Sequence, residues 1–315
     1  MRIIFAGYPE IGIPSLEKLS KKHEIAGVLT HPDRVSGRGK KRVPPPIKVK
    51  AEELGIPVFQ TEKIDKPFMN MISSLKPDIL VVVAYGKILK KDFIDLFPRG
   101  GVNLHPSLLP LYRGPSPIQA AILNGDSETG ITVQRIALDV DSGDILDQLR
   151  IPLYGTETTL SLTGRISILG ADLLLRVLDD IEKGKETATP QDNEKATYCT
   201  QIRKEDGIIR WDRQGALEIS RMVRAFNPWP KAYTWFKGKT LAILEAGVYA
   251  GRINDKARGP GYVYGVDKDE GILIQTIDGI LAVKKLQLQS KKPLEWRAFI
   301  NGIRDFPGST LGVKR

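Results

Sequence analysis

Residues 78–84, Asp-Ile-Leu-Val-Val-Val-Ala, contain a short and continuous apolar run, as expected of a strand that is buried on both faces of a parallel sheet. Two similar runs occupy residues 2–7 and 24–30. Segments with helical patterns separate these runs, at residues 14–21, 46–54 and 65–75. Strands that alternate with helices in this way predict a doubly wound, mostly parallel α/β sheet of Rossmann type.

The same alternation continues to about residue 182. A strand at 101–105 is followed by a helix at 117–124 and by another strand at 130–136. A long helix is then predicted over residues 158–182, before Gly184. One face of this helix is apolar, with side chains repeating at Leu162, Ile166, Leu169, Leu173 and Val177.

The pattern changes after residue 185. Residues 186–207 are polar with little periodicity, and the helical segment GALEISRMVRAF follows at 215–226. Four strands separated by Gly and Asp turns come next, at 240–250, 261–266, 271–277 and 280–288. They predict a small antiparallel β-barrel of OB type. We therefore expect an N-terminal α/β domain over 1–187, a linker over 188–207 and the β-barrel domain over 208–315.

The composition of the 315 residues is that of a soluble globular protein, with 41% hydrophobic and 27% charged residues. Its apolar runs are far shorter than the ~20 residues of a membrane span, and the N-terminus lacks the pattern of a secretory signal. The single cysteine, Cys199, excludes an internal disulfide framework and a multi-cysteine zinc site. We expect a cytoplasmic protein with no membrane partner.

Positive charge is concentrated in two places. Residues 208–315 hold 19 Lys and Arg against 10 Asp and Glu, which is +9 of the net +10 of the chain. A second basic stretch contains no acidic residue and is punctuated by Gly37, Gly39 and Pro44–Pro46, and its cations are Arg34, Arg38, Lys40, Lys41, Arg42, Lys48 and Lys50. A one-sided excess of this kind favours contact with a polyanion through its phosphates. A solvated surface is the alternative.

A polar pair lies at the end of the predicted strand 101–105. Asn103 and His105 are two residues apart and therefore project from the same face of the strand. They lie at the carboxyl end of a parallel strand, where open α/β sheets bind their ligands. An amide donor beside an imidazole suits acyl transfer, because the amide stabilises an oxyanion while the imidazole handles a proton. The alternative is a histidine that is satisfied by the backbone and an asparagine that caps a turn.

Asp141 is the third candidate, in the stretch Leu138-Asp-Val-Asp-Ser-Gly-Asp144. A carboxylate next to an imidazole orients it and stabilises its charged form. Three acidic residues in a glycine-containing loop are also consistent with a turn or with a site for a hard cation.

Several longer stretches resemble the folate-dependent formyltransferases. Asn103, His105-Pro-Ser-Leu-Leu-Pro110, Tyr112-Arg-Gly114 and Asp141-Ser-Gly-Asp144 match the family with its own spacing. Further matching stretches cover almost the whole chain and are similar to the members that act on methionyl-tRNA: residues 5–19, 32–60, 77–89, 224–235 and 286–303. Tyr8, Ile11 and Ser116 depart from the family pattern.

The resemblance implies transfer of the formyl group of 10-formyltetrahydrofolate, the co-substrate, to the α-amine of methionyl-initiator tRNA, with no metal. It implies that Asn103, His105 and Asp141 stabilise a tetrahedral intermediate and move its protons. It assigns folate contacts to Val83, Tyr85, Gly86, Lys87, Ile88, Ser107, Leu108, Leu109 and Pro110. It assigns tRNA contacts to the C-terminal domain and to Arg34, Arg38, Lys40, Lys41 and Arg42. We interpret the chain as a monomer.

A folate hydrolase or dehydrogenase module has a similar chemistry, but the absence of carrier and dehydrogenase regions argues against that enzyme. Three further alternatives remain open at this stage. A glycinamide ribonucleotide formyltransferase shares the Asn, His and Asp pattern but leaves residues 208–315 unexplained. A sugar-nucleotide N-formyltransferase can carry a similar C-terminal domain but has no use for an extended cationic surface. A non-catalytic RNA-binding protein is the third alternative, and the intact Asn103, His105 and Asp141 argue against it.

Overall fold

The computed structural model of the chain describes residues 1–36, 41–253 and 258–312, and the chain groups into two compact units. The N-terminal unit comprises Met1–Pro117, Glu128–Pro152 and Leu162–Thr200, and the C-terminal unit comprises Ile118–Ser127, Leu153–Ser161 and Gln201–Arg315. The domain boundaries given by the sequence patterns stay a prediction, since two short segments before residue 187 group with the second unit.

The sheet of the N-terminal unit is the α/β sheet that the apolar runs predict. The strands of this unit are β1 (Arg2–Gly7), β2 (Glu24–Thr30), β3 (Arg34–Ser36), β4 (Lys41–Val43), β5 (Val58–Gln60), β6 (Ile79–Val83), β7 (Gly101–His105), β8 (Glu128–Arg135) and β9 (Ile145–Pro152). Seven of these described strands form one sheet in the order β5-β2-β1-β6-β7-β8-β9. The first five strands of that order are parallel, while β8 is antiparallel to both of its neighbours. The predicted mostly parallel sheet is confirmed.

The described part of the first 187 residues contains the five predicted α-helices and one short α-helix, at residues 91–94, that the patterns do not predict. They are α1 (Ile13–Leu19), α2 (Pro46–Glu53), α3 (Lys66–Ser74), α4 (Lys91–Ile94), α5 (Pro117–Asn124) and α6 (Thr159–Glu182). The apolar face predicted for the long helix is buried at Leu162, Ile166, Leu173 and Val177. Gly184 follows its end with a φ of 64°, as a C-terminal glycine does.

The core beside β6 explains why this strand is apolar throughout. All five of its residues are buried, because it pairs with β1 on one side and with β7 on the other and both of its faces are covered. The cluster around it includes Ile4, Leu29, Leu80, Phe93 and Phe97. This packing fixes the neighbouring strand β7, which carries the polar pair.

The C-terminal unit contains the predicted antiparallel β structure. Its strands are β10 (Ala232–Phe236), β11 (Lys239–Val248), β12 (Val263–Asp267), β13 (Gly271–Gln275), β14 (Ile280–Leu288) and β15 (Leu294–Glu295), and its helices include α7 (Ala216–Ala225) and α8 (Trp296–Gly302). The described strands pair in the order β10-β11-β14-β13-β12, with β15 beside β14. The pattern predicts no strand at β10, where Pro228 and Pro230 precede a short aromatic run.

No helix within the described ranges combines the length and the apolar character that a membrane-spanning segment requires.

Candidate active site

Strand β7 presents Asn103 and His105 from one face and Leu104 from the other. Leu104 packs against α6 at Gly170, where a Cβ would lie 2.8 Å from the Leu104 Cδ1 atom. The glycine therefore lets the helix approach the strand closely. This contact holds the end of β7, and with it the two polar side chains, at a fixed place in the unit.

The Asp141 carboxylate lies between these two side chains. The Asn103 Nδ2 atom donates to Asp141 Oδ1 at 3.2 Å, and His105 Nδ1 lies 3.5 Å from Asp141 Oδ2. Two further donors complete the carboxylate's surroundings: Gln134 Nε2 lies 3.1 Å from Oδ1, and the Gly114 N–H lies 2.9 Å from Oδ2. The structure thus brings the three predicted residues together, and we call Asn103, His105, Gln134 and Asp141 the Asp141 cluster.

His105 is nearly buried, with 4% of its surface exposed. Its Nε2 atom lies 2.9 Å from the Tyr112 carbonyl oxygen, and a carbonyl can only accept, so Nε2 carries a hydrogen. Its Nδ1 atom faces Asp141. The alternative interpretation of His105, a histidine satisfied by the backbone, is thus met at Nε2. The Nδ1 atom still faces the Asp141 carboxylate.

The loop that carries Asp141 is held in an unusual backbone conformation. Asp141 has a φ of 49°, in the left-handed region that is unfavourable for residues other than glycine and is tolerated best by Asn and Asp. At Gly143, a Cβ would collide with the backbone carbonyl of Arg135. Among the described residues, the carboxylates of Asp139, Asp141 and Asp144 do not come close enough together to form one group of ligands.

Two polar residues of β8, which the sequence patterns do not single out, line the same site. Gln134 lies opposite Asn103 and Thr132 lies opposite His105 in the β7–β8 register, and both are buried, at 2% and 0% exposed. The signal was available in the sequence. Two polar residues alternate with apolar ones in a strand with two buried faces, and a buried polar side chain requires a partner.

The predicted folate residues at 107–110 form a turn beside this cluster. Ser107 is fully buried and its hydroxyl donates to the Leu111 carbonyl at 2.5 Å, which disfavours a nucleophilic role. The Leu109 N–H donates to Thr132 Oγ1 at 3.1 Å. Leu108 packs over Gly130, where a Cβ would clash with the leucine side chain, and Pro110 completes the turn.

The other predicted folate residues follow β6. Val83 and the ring of Tyr85 are buried in the core, and burial raises the pKa of the Tyr85 hydroxyl to about 12. Gly86 has a φ of 74°, Lys87 Nζ donates to the Thr61 carbonyl at 2.6 Å, and Ile88 is 87% exposed. The ring of Tyr85 therefore faces the core, and of this group the Ile88 side chain is openly accessible.

Three of the five predicted tRNA residues, Arg34, Lys41 and Arg42, fall on β3 and β4, an antiparallel pair that we call the basic strand pair. Arg34 lies with its guanidinium carbon 5.4 Å from the centre of the Tyr8 ring, and Arg42 is exposed. The register places these two arginines on opposite faces of the pair. Arg38, Lys40 and the side chain of Lys41 lie outside the described residues.

Two other lysines of the basic stretch are engaged within the protein. Lys48 Nζ donates to Asp33 Oδ1 at 2.9 Å, and Lys50 pairs with Glu17 and Glu53 at 3.0 and 2.6 Å. These lysines neutralise nearby carboxylates instead of adding to a free cationic surface. The local charge density suggested by the sequence is correspondingly lower.

Comparison with known protein families identifies the class to which a chain with this fold and this cluster belongs. The formyl transferase family profile matches residues 1–178, and the profile of the formyl transferase C-terminal domain matches residues 201–304. The chain belongs to the formyl transferase family.

Full-length relatives carry a more specific name. A protein of Treponema denticola named methionyl-tRNA formyltransferase is 43% identical over 97% of this chain and 98% of its own length. A protein of Roseiflexus castenholzii with the same name is 43% identical over 99% of both chains. The resemblance to the formyltransferases that act on methionyl-tRNA, predicted from the sequence motifs, is confirmed.

Solved structures share the fold at low sequence identity. HypX from Aquifex aeolicus in complex with tetrahydrofolic acid matches with a TM-score of 0.64 and 17% identity, over 98% of this chain and 48% of that one. An N-formyltransferase from Helicobacter canadensis, in complex with folinic acid and dTDP-3-aminofucose, matches with a TM-score of 0.63 and 21% identity, over 89% and 97% of the two chains. These similarities show that this chain shares its fold with the two solved structures.

Proposed function

We propose that this chain transfers the formyl group of 10-formyltetrahydrofolate to the α-amine of methionine esterified to initiator tRNA. The observation that carries the proposal is the convergence of Asn103 and His105 on the Asp141 carboxylate, in a chain that matches methionyl-tRNA formyltransferases over its full length. The donor is a folate co-substrate, and the acceptor is a tRNA that meets the protein in the cytoplasm.

The reaction is a direct acyl transfer. The lone pair of the neutral α-amine attacks the formyl carbon and forms a C–N bond, while the carbonyl π electrons move to oxygen. The tetrahedral intermediate then collapses as the bond from carbon to the folate nitrogen breaks. The amine loses a proton and the folate nitrogen gains one. Because α-amines have pKa values of about 8 in peptides, a modest proton acceptor is sufficient.

Asn103 is the group best placed to stabilise the oxyanion. A side-chain amide nitrogen carries two hydrogens, and Asn103 Nδ2 uses one of them towards Asp141 Oδ1. The second hydrogen can donate to the oxygen on which negative charge develops. The carboxylate contact fixes the amide with its nitrogen towards Asp141.

Asp141 is the proposed proton acceptor, acting through a water molecule. Its side chain is 15% exposed, against 5% for that of His105, so solvent reaches the carboxylate more readily than the imidazole. His105 is proposed to support this role through its Nδ1 atom, which faces the Asp141 carboxylate. With its Nε2 hydrogen donated to Tyr112, its Nδ1 atom can take up a proton and pair with the carboxylate.

The turn 107–110 and the segment after β6 are the proposed folate site. The turn contributes backbone groups and apolar side chains, which suit a flat ring with amide-like edges. Val83, Tyr85 and Gly86 are assigned to this site through their backbone, and Lys87 and Ile88 through their position at its rim.

Two cationic regions are the proposed tRNA contacts. The C-terminal domain carries +9 of the net charge, and the basic strand pair presents Arg42 to solvent. Arg34, Arg38, Lys40 and Lys41 are proposed to act with Arg42. RNA helices offer phosphates and a groove too narrow for direct base reading, so lysine and arginine contacts are expected to dominate.

A comparison of three acceptors, each supplied separately, tests the function. The full chain is incubated with 10-formyltetrahydrofolate and one of three amines: methionyl-initiator tRNA, glycinamide ribonucleotide or a dTDP-amino sugar. We expect formylmethionyl-tRNA and no formylation of the two small acceptors, measured by mass spectrometry of the products. Formylation of the amino sugar in place of the tRNA would overturn the proposal.

A further inference from the structure

Arg113 is a buried cation whose acceptors among the described residues are all uncharged. It is 3% exposed. Its Nε and Nη2 atoms donate to Gln191 Oε1 at 3.0 and 2.8 Å, and Nη2 also donates to Asn193 Oδ1 at 2.8 Å. Its Nη1 atom lies 3.3 Å from the Tyr198 hydroxyl. Burial of a charge is costly unless it is fully hydrogen-bonded, so the arrangement calls for a reason beyond stability.

The guanidinium fixes the orientation of the Gln191 amide. Two N–H donors of the rigid fork meet one oxygen, and an amide nitrogen cannot accept these bonds. The Gln191 Nε2 atom must therefore point away from Arg113. It donates to the carbonyl oxygens of Asp141 and Gly143 at 2.8 and 2.7 Å, and it lies 3.1 Å from Gln134 Oε1.

The same constraint passes to Gln134 and reaches the carboxylate. Because Gln134 Oε1 accepts from Gln191, its Nε2 is the end that faces Asp141 Oδ1, at 3.1 Å. A reversal of either amide would set an oxygen against an oxygen. The contacts thus run from the Arg113 guanidinium to the Gln191 amide, then to the Gln134 amide and to the Asp141 carboxylate. Each of the two amides has one permitted orientation.

Gln191 also holds the backbone of the Asp141 loop. Asp141 adopts a positive φ, a conformation that is unfavourable for residues other than glycine and persists only where its surroundings enforce it. The two carbonyls that Gln191 binds, those of Asp141 and Gly143, flank this turn.

We infer that Gln191, oriented by Arg113, is a positioning residue of the reaction that acts through Asp141. It lies at the start of the segment that the sequence patterns assign to a polar linker, residues 188–207, and this start of the segment contacts the Asp141 loop. The inference rests on the proposed function, because its readout is formyl transfer.

The test is a double-mutant cycle in the full-length chain. Gln191→Met keeps the side-chain length and removes both ends of the amide. We expect it to lower kcat by roughly 10- to 100-fold, as small misplacements of catalytic groups do, with KM for methionyl-tRNA and folate within about twofold. In an Asp141→Asn background, which accepts the positive φ, Gln191→Met should cost less than about twofold, because the residue through which it acts is already lost.

A second variant and a control complete the design. Arg113→Lys keeps the charge but cannot form the fork, and it should lower kcat with the same dependence on Asp141. It decides the matter if Gln191→Met does not fold. Gln214→Met removes a glutamine that is likewise bound at both ends of its amide, by the Arg210 N–H and by Glu218, and it should leave kcat unchanged.

The inference is overturned if Gln191→Met and Arg113→Lys retain wild-type kcat. It is also overturned if they lower kcat equally with Asp141 and with Asn at that position, which would mark a structural role alone. A wild-type chain that makes no formylmethionyl-tRNA contradicts the proposed function instead, and that result is separate from the behaviour of the variants.

Discussion

The Asp141 cluster and the basic strand pair both contain residues that the sequence predicts to act on a substrate, yet they are built differently. In the cluster, three N–H donors and the His105 Nδ1 atom surround one carboxylate, and His105 and Gln134 are buried. In the strand pair, two three-residue strands present Arg42 to solvent. Proton transfer and oxyanion stabilisation depend on fixed donors, whereas phosphate attraction depends mainly on charge and acts over several ångströms.

The largest expected effect follows from breaking the cluster. Asn103→Ala removes the proposed oxyanion donor, and we expect kcat to fall by about 10²–10³-fold, the usual cost of one such donor. KM for both substrates should change little, because the contact strengthens only in the transition state. Steady-state kinetics with methionyl-tRNA and 10-formyltetrahydrofolate provide the measurement.

Asn301→Ala is the matched control, since Asn301 is exposed on helix α8. It should leave kcat at the wild-type value. Near-wild-type turnover in Asn103→Ala would refute the assignment of Asn103.

An intermediate effect is expected from the strand pair. Arg42→Ala should raise KM for tRNA by roughly 10-fold, about the worth of one charge-assisted phosphate contact, while KM for folate stays constant. The slope of log KM against log salt concentration should fall by about 0.7–0.9, because one fewer phosphate is neutralised.

Lys91→Ala controls for the loss of a surface charge in general. Lys91, at the start of α4, pairs with Asp95, which directly follows the helix, and both side chains are more than half exposed. Both KM values should remain unchanged in this variant. An equal rise in the KM of tRNA and of folate in Arg42→Ala would contradict a role confined to tRNA.

The contrast between the two regions also explains what the sequence could predict. Asn103 and His105 were found because a strand period of two and a family motif both point to them, whereas Asp141 was found from an acidic loop and the family motif. Gln191 was not found, because it comes from a segment without periodicity and its role depends on contacts with Arg113 and Gln134. Such contacts between distant segments leave no local pattern.

Charge counting along the sequence has a similar limit. It gave Lys48 and Lys50 the same weight as Arg42, but the fold pairs the two lysines with Asp33, Glu17 and Glu53. Most of the parallel sheet, in contrast, was predictable, because burial on both faces requires a continuous apolar run such as Ile79–Val83. The edge strand β5 was not predicted, since its three residues are only partly buried and contain no such run.

The smallest expected effect concerns the base of the strand pair, at His31. Burial lowers the pKa of this imidazole, outweighing the opposing effect of the hydrogen bond to the Tyr85 carbonyl. Its Nε2 atom donates to that carbonyl at 2.6 Å, and its Nδ1 atom lies 3.2 Å from Arg34 Nη2, so the neutral ring with its hydrogen on Nε2 satisfies both neighbours.

The unfolded chain, with a histidine pKa of about 6.5, then takes up a proton more readily than the folded protein. The contribution of His31 to the free energy of unfolding should therefore be constant above about pH 7 and fall as the pH drops below about 6.5. His31→Gln removes this titration and should make the fall between pH 7 and pH 5.5 shallower in urea unfolding experiments. The same decline in wild type and variant would show that the histidine titrates alike in the folded and the unfolded state, and would contradict a lowered pKa for His31.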